Sequence, residues 1–170
     1  MPRKELERLY LKLQKHISAM NQEQEAIRNK LTRYSDGKKL KGNELVGWLG
    51  EIYGKLFLSG TLVSDDFEHD FVTKDGKRVS AKTRKGNESG WKRTSAIPKI
   101  EGVGCPSHLM FVHLNDDYSV DKIWLYKWHY LRNSGRFKEH IVRGSPRSFY
   151  FKVHPESDTK YLIYARTKGQ

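Results

Sequence analysis

A carboxylate and an ammonium on facing strands are the pair in this chain whose chemistry is most specific. Asp70 lies in a stretch that reads as a strand, residues 67–73, and Lys82 in a second, residues 78–83. Between them Lys74-Asp75-Gly76-Lys77 carries an Asp-Gly hairpin signal. Strand side chains alternate faces, so Ser80 and Lys82 point the same way, and the hairpin brings Asp70 near Lys82. Hydrolytic cleavage of a phosphodiester asks for such a pair. Asp70 can hold a hard divalent cation through oxygen, and that cation both polarises a phosphate and lowers the pKa of a bound water. Lys82 is suited to position or help deprotonate the water and to stabilise charge growing on the phosphate. Glu51 is the third candidate. The plainer alternative makes Asp70 and Lys82 a cross-strand surface ion pair worth under ~1 kcal/mol, and Glu51 a solvated helix residue.

The elements that must position these groups are legible in outline. Glu51 falls on a helix expected over residues 43–58, with Asn43 as N-cap, Glu44 in the first turn, and Leu45, Leu49, Ile52, Tyr53 and Leu56 at helical spacing. Ser59-Gly60 ends it. Upstream, residues 4–33 contain no Pro or Gly, and Leu6, Tyr10, Leu13, Ile17, Met20, Gln24, Ile27 and Leu31 alternate at steps of four and three. That is a heptad seam, fit either to pair with a second copy or to lie on the remainder of the chain. Ser35-Asp36-Gly37-Lys38-Lys39 reads as a turn, dividing an N-terminal amphipathic segment, 1–35, from an α/β domain, 36–170. After a Gly- and Lys-rich loop, 86–104, strands are expected at His108–Leu114 and 120–126, joined by Asn115-Asp116-Asp117. A short helix over 127–133 and strands at 148–153 and 161–165 complete the pattern.

At this point the sequence resembles the PD-(D/E)XK, restriction-endonuclease-like nucleases. Gly50-Glu51-Ile52-Tyr53-Gly54, His69-Asp70-Phe71-Val72, Asp75-Gly76 and Val79-Ser80-Ala81-Lys82-Thr83-Arg84 follow one another in that family's order. The resemblance covers residues 43–126. It implies an α/β fold with a central mixed β-sheet flanked by helices, Mg2+ as cofactor with Mn2+ able to substitute, Asp70 and Glu51 as metal ligands, Lys82 as the catalytic lysine and 5′-phosphate products. Ser80 stands where the family has Asp or Glu. Either Glu51, or Glu44 two turns earlier, supplies the missing acid from the helix, or the site is weakened or dead.

The totals point to the same partner. With 32 Lys plus Arg against 20 Asp plus Glu, the formal charge is +12, which concentrates polyanions around the protein. Residues 74–93 carry eight Lys or Arg against Asp75 and Glu88. Ser80 joins the catalytic candidates by position, and Arg84, Lys85, Lys92 and Arg93 are candidate phosphate contacts. Trp91, in a loop with Gly86, Ser89 and Gly90, reads as a stacking or wedging residue or as core. Thr94 and Ser95 read as phosphate donors or as local backbone caps. The expected partner is double-stranded DNA, bound by a homodimer paired through the N-terminal helix, since two-strand cutting wants two sites. No apolar run or leader-like segment follows Met1-Pro2-Arg3-Lys4, so a soluble cytoplasmic protein without membrane attachment is expected, in keeping with the single cysteine, Cys105. Cys105, His108 and His113 lack a fourth ligand at zinc spacing, and His69, beside Asp70, reads as a proton-transfer residue or as a structural one. No Walker loop, dinucleotide fingerprint, serine elbow or His-Glu-x-x-His helix is present. The expected function is a metal-dependent DNA endonuclease in restriction or defence. The alternatives are an inactive nucleic-acid-binding module on the same fold and a basic, ribosome-associated protein.

Overall fold

The computed structural model describes residues 2–40, 44–87, 89–94 and 96–166, and their side chains outside 2–10 and residue 89. The chain divides into two compact units, Met1–Leu45 and Val46–Gln170.

In the first unit the Pro- and Gly-free run, entered at Pro2, forms α1, Pro2–Thr32. Past its end, in the expected turn, Asp36 and Gly37 take left-handed backbone, at φ 52° and 81°. Along the seam Leu13, Ile17 and Met20 are 46%, 46% and 54% exposed. The expected N-cap Asn43 lies outside the described residues.

The second unit is built on a mixed six-stranded sheet flanked by helices. After α2, Leu45–Phe57, come β1, Gly60–Leu62, β2, Phe71–Thr73, and β3, Arg78–Lys85. Then follow β4, His108–Leu114, β5, Val120–Lys127, and α3, Trp128–Asn133. Next are β6, Lys138–Val142, β7, Ser145–Tyr150, and β8, Leu162–Ala165. The sheet order is β1-β2-β3-β4-β5-β8, and β6 with β7 forms a separate ribbon. Only β3 and β4 pair in parallel; the other neighbours are antiparallel. A parallel pair needs a long crossover, supplied here by a loop with one 3-10 turn at Ser89–Lys92.

The expected hairpin forms, with Gly76 at φ +83° in its turn and the Thr73 amide donating to the Lys77 carbonyl. Its first strand is shorter than the expected 67–73, because residues 64–67 turn instead: the Phe67 amide donates to the Ser64 carbonyl and the Ser64 hydroxyl to Asp66. One further expectation is corrected. The strand expected at 148–153 runs over Ser145–Tyr150 and pairs with β6, a strand that the sequence pattern does not mark. The connection is a tight turn with both Arg143 and Gly144 at positive φ, 50° and 77°, the backbone that suits a two-residue hairpin.

Register assigns the two faces of the sheet. Ala81 pairs with Met110 and Thr83 with Val112, and this face packs on α2. A Cβ on Gly50 would fall 1.6 Å from Thr83 Oγ1, and one on Gly54 would fall 2.6 Å from Met110 Sδ and 3.3 Å from the Phe71 ring. These two glycines let the helix backbone lie directly on the strands. Gly50→Ala is therefore expected to lower stability by roughly 1–3 kcal/mol, the usual cost of overpacking, read from urea denaturation; an unchanged midpoint would refute this close contact. The opposite face carries Leu109, Phe111, Trp124 and Tyr126, packed with Ile97, Leu131, Phe137, Phe151 and Val153.

Candidate functional site

Asp70 sits one residue before β2, at the fork where β3 runs on without its hairpin partner. Its amide donates to the Val79 carbonyl, and its carbonyl accepts from the Val63 amide. With the backbone fixed on both sides, the carboxylate accepts the Ala81 amide at 2.7 Å. The side chain thus fills a ladder position that β2 has vacated. The bond places the Asp70 carboxylate at the Ala81 amide, one residue along β3 from Lys82.

Ser80, Lys82 and Arg84 alternate with Ala81 and Thr83 and so project from the face opposite α2, beside Leu109, Phe111 and His113 of β4. Ser80 is buried, at 4% exposure; Lys82 and Arg84 are half-buried. Glu51 is half-buried on α2 and falls on the helical stripe of Gly47, Gly50 and Gly54, directed at the strands by the contacts of Gly50 and Gly54. The three expected groups therefore do not share one face. Asp70 lies between them at the fork, Glu51 approaches from the α2 side, and Lys82 projects from the other. Glu44 is exposed and precedes α2 within the first unit.

Two further polar residues of this unit are buried, Lys55 and His69. Lys55 is 7% exposed, one turn beyond Glu51; burial of a lysine is unusual, and nothing in the sequence marks it. His69 is also 7% exposed, and its buried Nδ1 has no hydrogen-bond partner among the described residues. Burial, helped by Arg78 and opposed by Asp70, holds His69 below the ordinary imidazole range. That favours the neutral ring and a structural place for it.

The basic segment after β3 is ordered by specific contacts. Arg84 Nε donates to the Arg93 carbonyl at 2.7 Å. Arg93 lies 3.8 Å over the Tyr150 ring and donates from Nη2 to His140 Nδ1 at 3.0 Å. Lys85 lies over the Tyr118 ring, and the Lys92 carbonyl accepts the Val153 amide. Trp91 is half-buried, its ring stacked on His113 at 3.9 Å and near Trp124 and Phe111. The packing reading of Trp91 is the one these contacts support. Thr94 is buried, its hydroxyl accepting the Phe151 amide, and Ser95 lies outside the described residues. His113 is held on both sides, by Asp121 at 2.9 Å and the Gly86 carbonyl at 2.7 Å. It points away from His108, five residues back on the same strand, which separates the two histidines considered for zinc.

Among the described residues no group of three His, Cys, Asp or Glu forms a metal cage. Mg2+ does not require one, because it is held through one or two carboxylates and completes its shell with water and substrate phosphate. Asp70 supplies such a carboxylate, its direction set by the bond from the Ala81 amide. No helix among the described residues is long and apolar enough to cross a membrane. The sequence matches no protein-family model, and no curated protein matches it significantly.

Proposed function

We propose that this chain is a Mg2+-dependent DNA endonuclease, acting in restriction or another defence against foreign DNA. The observation that carries the reading is the Asp70 carboxylate anchored on the Ala81 amide at the open fork, one residue along β3 from Lys82. Asp70, with Glu51 approaching from α2, would hold the cation, which when bound neutralises phosphate charge and acidifies water. The Ala81 amide fixes the direction of the carboxylate before substrate arrives. Lys82 meets the phosphate from the opposite face and stabilises the charge that develops on it. The Lys- and Arg-rich segment from Lys74 to Arg93 retains the backbone. A cytoplasmic setting suits this role, and the exposed Leu13, Ile17 and Met20 of α1 support pairing of two copies, one for each strand of the duplex.

A catalytically inactive nucleic-acid-binding module is the second reading, favoured by the neutral, buried Ser80 and by the placement of Lys82 and α2 on opposite faces. Sedimentation of the protein with a duplex in Mg2+ and in EDTA separates the two. The nuclease reading predicts two chains per duplex and binding that tightens, or DNA that is cut, when Mg2+ is added. Binding indifferent to the metal would select the inactive module, and monomers alone would remove the role given to α1.

A further inference from the structure

The ribbon β6–β7 and the loop after β3 enclose a cleft of about 400 Å³, lined by Arg84, Gly90, Arg93, Ala96, His140 and Tyr150 among others. Two arginines and a histidine meet there, and no carboxylate lines it among the described residues. Neither guanidinium takes part in an ion pair among them. Like charges brought together without a counter-charge mark a place for an anion.

The cleft is held open by backbone rather than by side-chain chance. Lys92, Thr94 and Ile97 bond to the segment 149–153: Ile97 and Phe149 exchange both amide-to-carbonyl bonds at 2.8 Å, and the Thr94 amide donates to the Phe151 carbonyl at 2.8 Å. This fastens the ribbon along the loop. Each cation is then aimed. The Arg84 Nε bond to the Arg93 carbonyl fixes the guanidinium plane and leaves both Nη groups for another acceptor. Arg93 is stacked on Tyr150, and its bond to His140 makes Nδ1 the acceptor, so the proton of that ring resides on Nε2 as a further donor. The Ser148 hydroxyl also lines the wall.

We infer that this cleft binds a backbone phosphate of a nucleic-acid strand, gripped by Arg84 and Arg93 and faced by His140 of the ribbon. The inference deepens the nucleic-acid reading above and rests on it. A phosphodiester in a polymer fits better than a free anion because the basic surface continues. Arg84 and Gly90 also line a second cleft of about 640 Å³ with Lys85, Asn87 and one acid, Asp116, whose carboxylate accepts from the Asn87 side-chain amide. On the other side the exposed ribbon carries Lys138, Arg143 and Arg147. A two-stranded ribbon is also an element that a DNA major groove admits.

The test is the salt dependence of binding to a fluorescent duplex in EDTA, where no cleavage is needed, for wild type, Arg84→Ala, Arg93→Ala and Arg93→Lys. Each alanine variant should weaken binding about tenfold and reduce the slope of log affinity against log salt by about 0.9, the loss of one neutralised phosphate. Arg93→Lys keeps the charge and should keep most of the slope while losing affinity, which guards against a folding defect. Inorganic phosphate at millimolar concentration should not displace the duplex beyond its ionic-strength effect. Unchanged slopes in both alanine variants overturn the cleft assignment while leaving the nuclease proposal standing. Specific displacement by inorganic phosphate overturns it in favour of a small-anion site. Absence of any duplex binding by wild type overturns the nucleic-acid reading and this inference together.

Discussion

Asp70→Asn is expected to slow Mg2+-dependent strand cleavage by about 100- to 1000-fold, the usual cost of losing one preorganised charge at a phosphoryl centre, while leaving the chain folded. The amide keeps an oxygen that accepts the Ala81 N–H, so the bond at the fork survives. What disappears is the negative charge that, in the proposed function, attracts the cation. Asp70→Ala removes the acceptor as well and leaves the Ala81 amide to find another partner, at about 1–3 kcal/mol. The two variants should therefore be equally inactive and differ in melting temperature, Asn being the closer to wild type. Single-turnover cleavage of a plasmid together with thermal melts reads both effects. An Asn variant that cuts within threefold of wild type would show that Asp70 serves the fork and not the chemistry.

The largest stability effect is expected far from that fork, at Asp158→Ala, with a loss of about 3–5 kcal/mol in urea denaturation at neutral pH. Asp158 is 2% exposed. Its carboxylate accepts the Tyr126 hydroxyl at 2.9 Å, Arg136 Nη1 at 3.0 Å and Nη2 at 2.8 Å, and the His154 amide at 2.9 Å. Removing it strands the partly buried Arg136 guanidinium and the buried Tyr126 hydroxyl at once. Burial alone would push the Asp158 carboxyl up; hydrogen bonds from Arg136, the His154 amide and Tyr126 outweigh that and hold it below the ordinary carboxylate range. A depressed folded pKa gives stability that is present above the unfolded value, about 3.9, and is lost as pH falls through the lower folded one. Wild type should thus weaken steeply under acid, and Asp158→Asn should lose much of that acid dependence. Equal acid profiles for the two would contradict this assignment.

Much of the frame was legible because it rests on local rules. The Pro- and Gly-free run gives α1, the Asp75-Gly76 dipeptide gives the β2–β3 turn, and the apolar stretch His108–Leu114 gives the central strand, with bounds as read. The ribbon was missed for a physical reason. Residues 138–147 are exposed on both faces, so no two-residue alternation of apolar and polar side chains marks β6. His140 and Tyr150 could not be joined to Arg93 in advance, because their meeting depends on Lys92, Thr94 and Ile97 pairing with 149–153, a contact across more than fifty residues. Within the candidate site the approach of Asp70 to β3 followed from the hairpin. The side from which Glu51 approaches did not, since Gly50 and Gly54 set where α2 lies and a glycine announces no direction. Trp91 illustrates the same limit: its ring type suits a base or a core, and the neighbours His113 and Trp124 favour the core.

The most direct test of the central claim is incubation of supercoiled plasmid, with and without base modifications, with the wild-type protein in Mg2+, in Mn2+ and in EDTA. The account predicts nicking or linearisation in either metal, none in EDTA, and 5′-phosphate ends on the product. Intact supercoils in all three conditions, from protein that binds the same plasmid, would contradict the nuclease and leave the inactive binding module in its place.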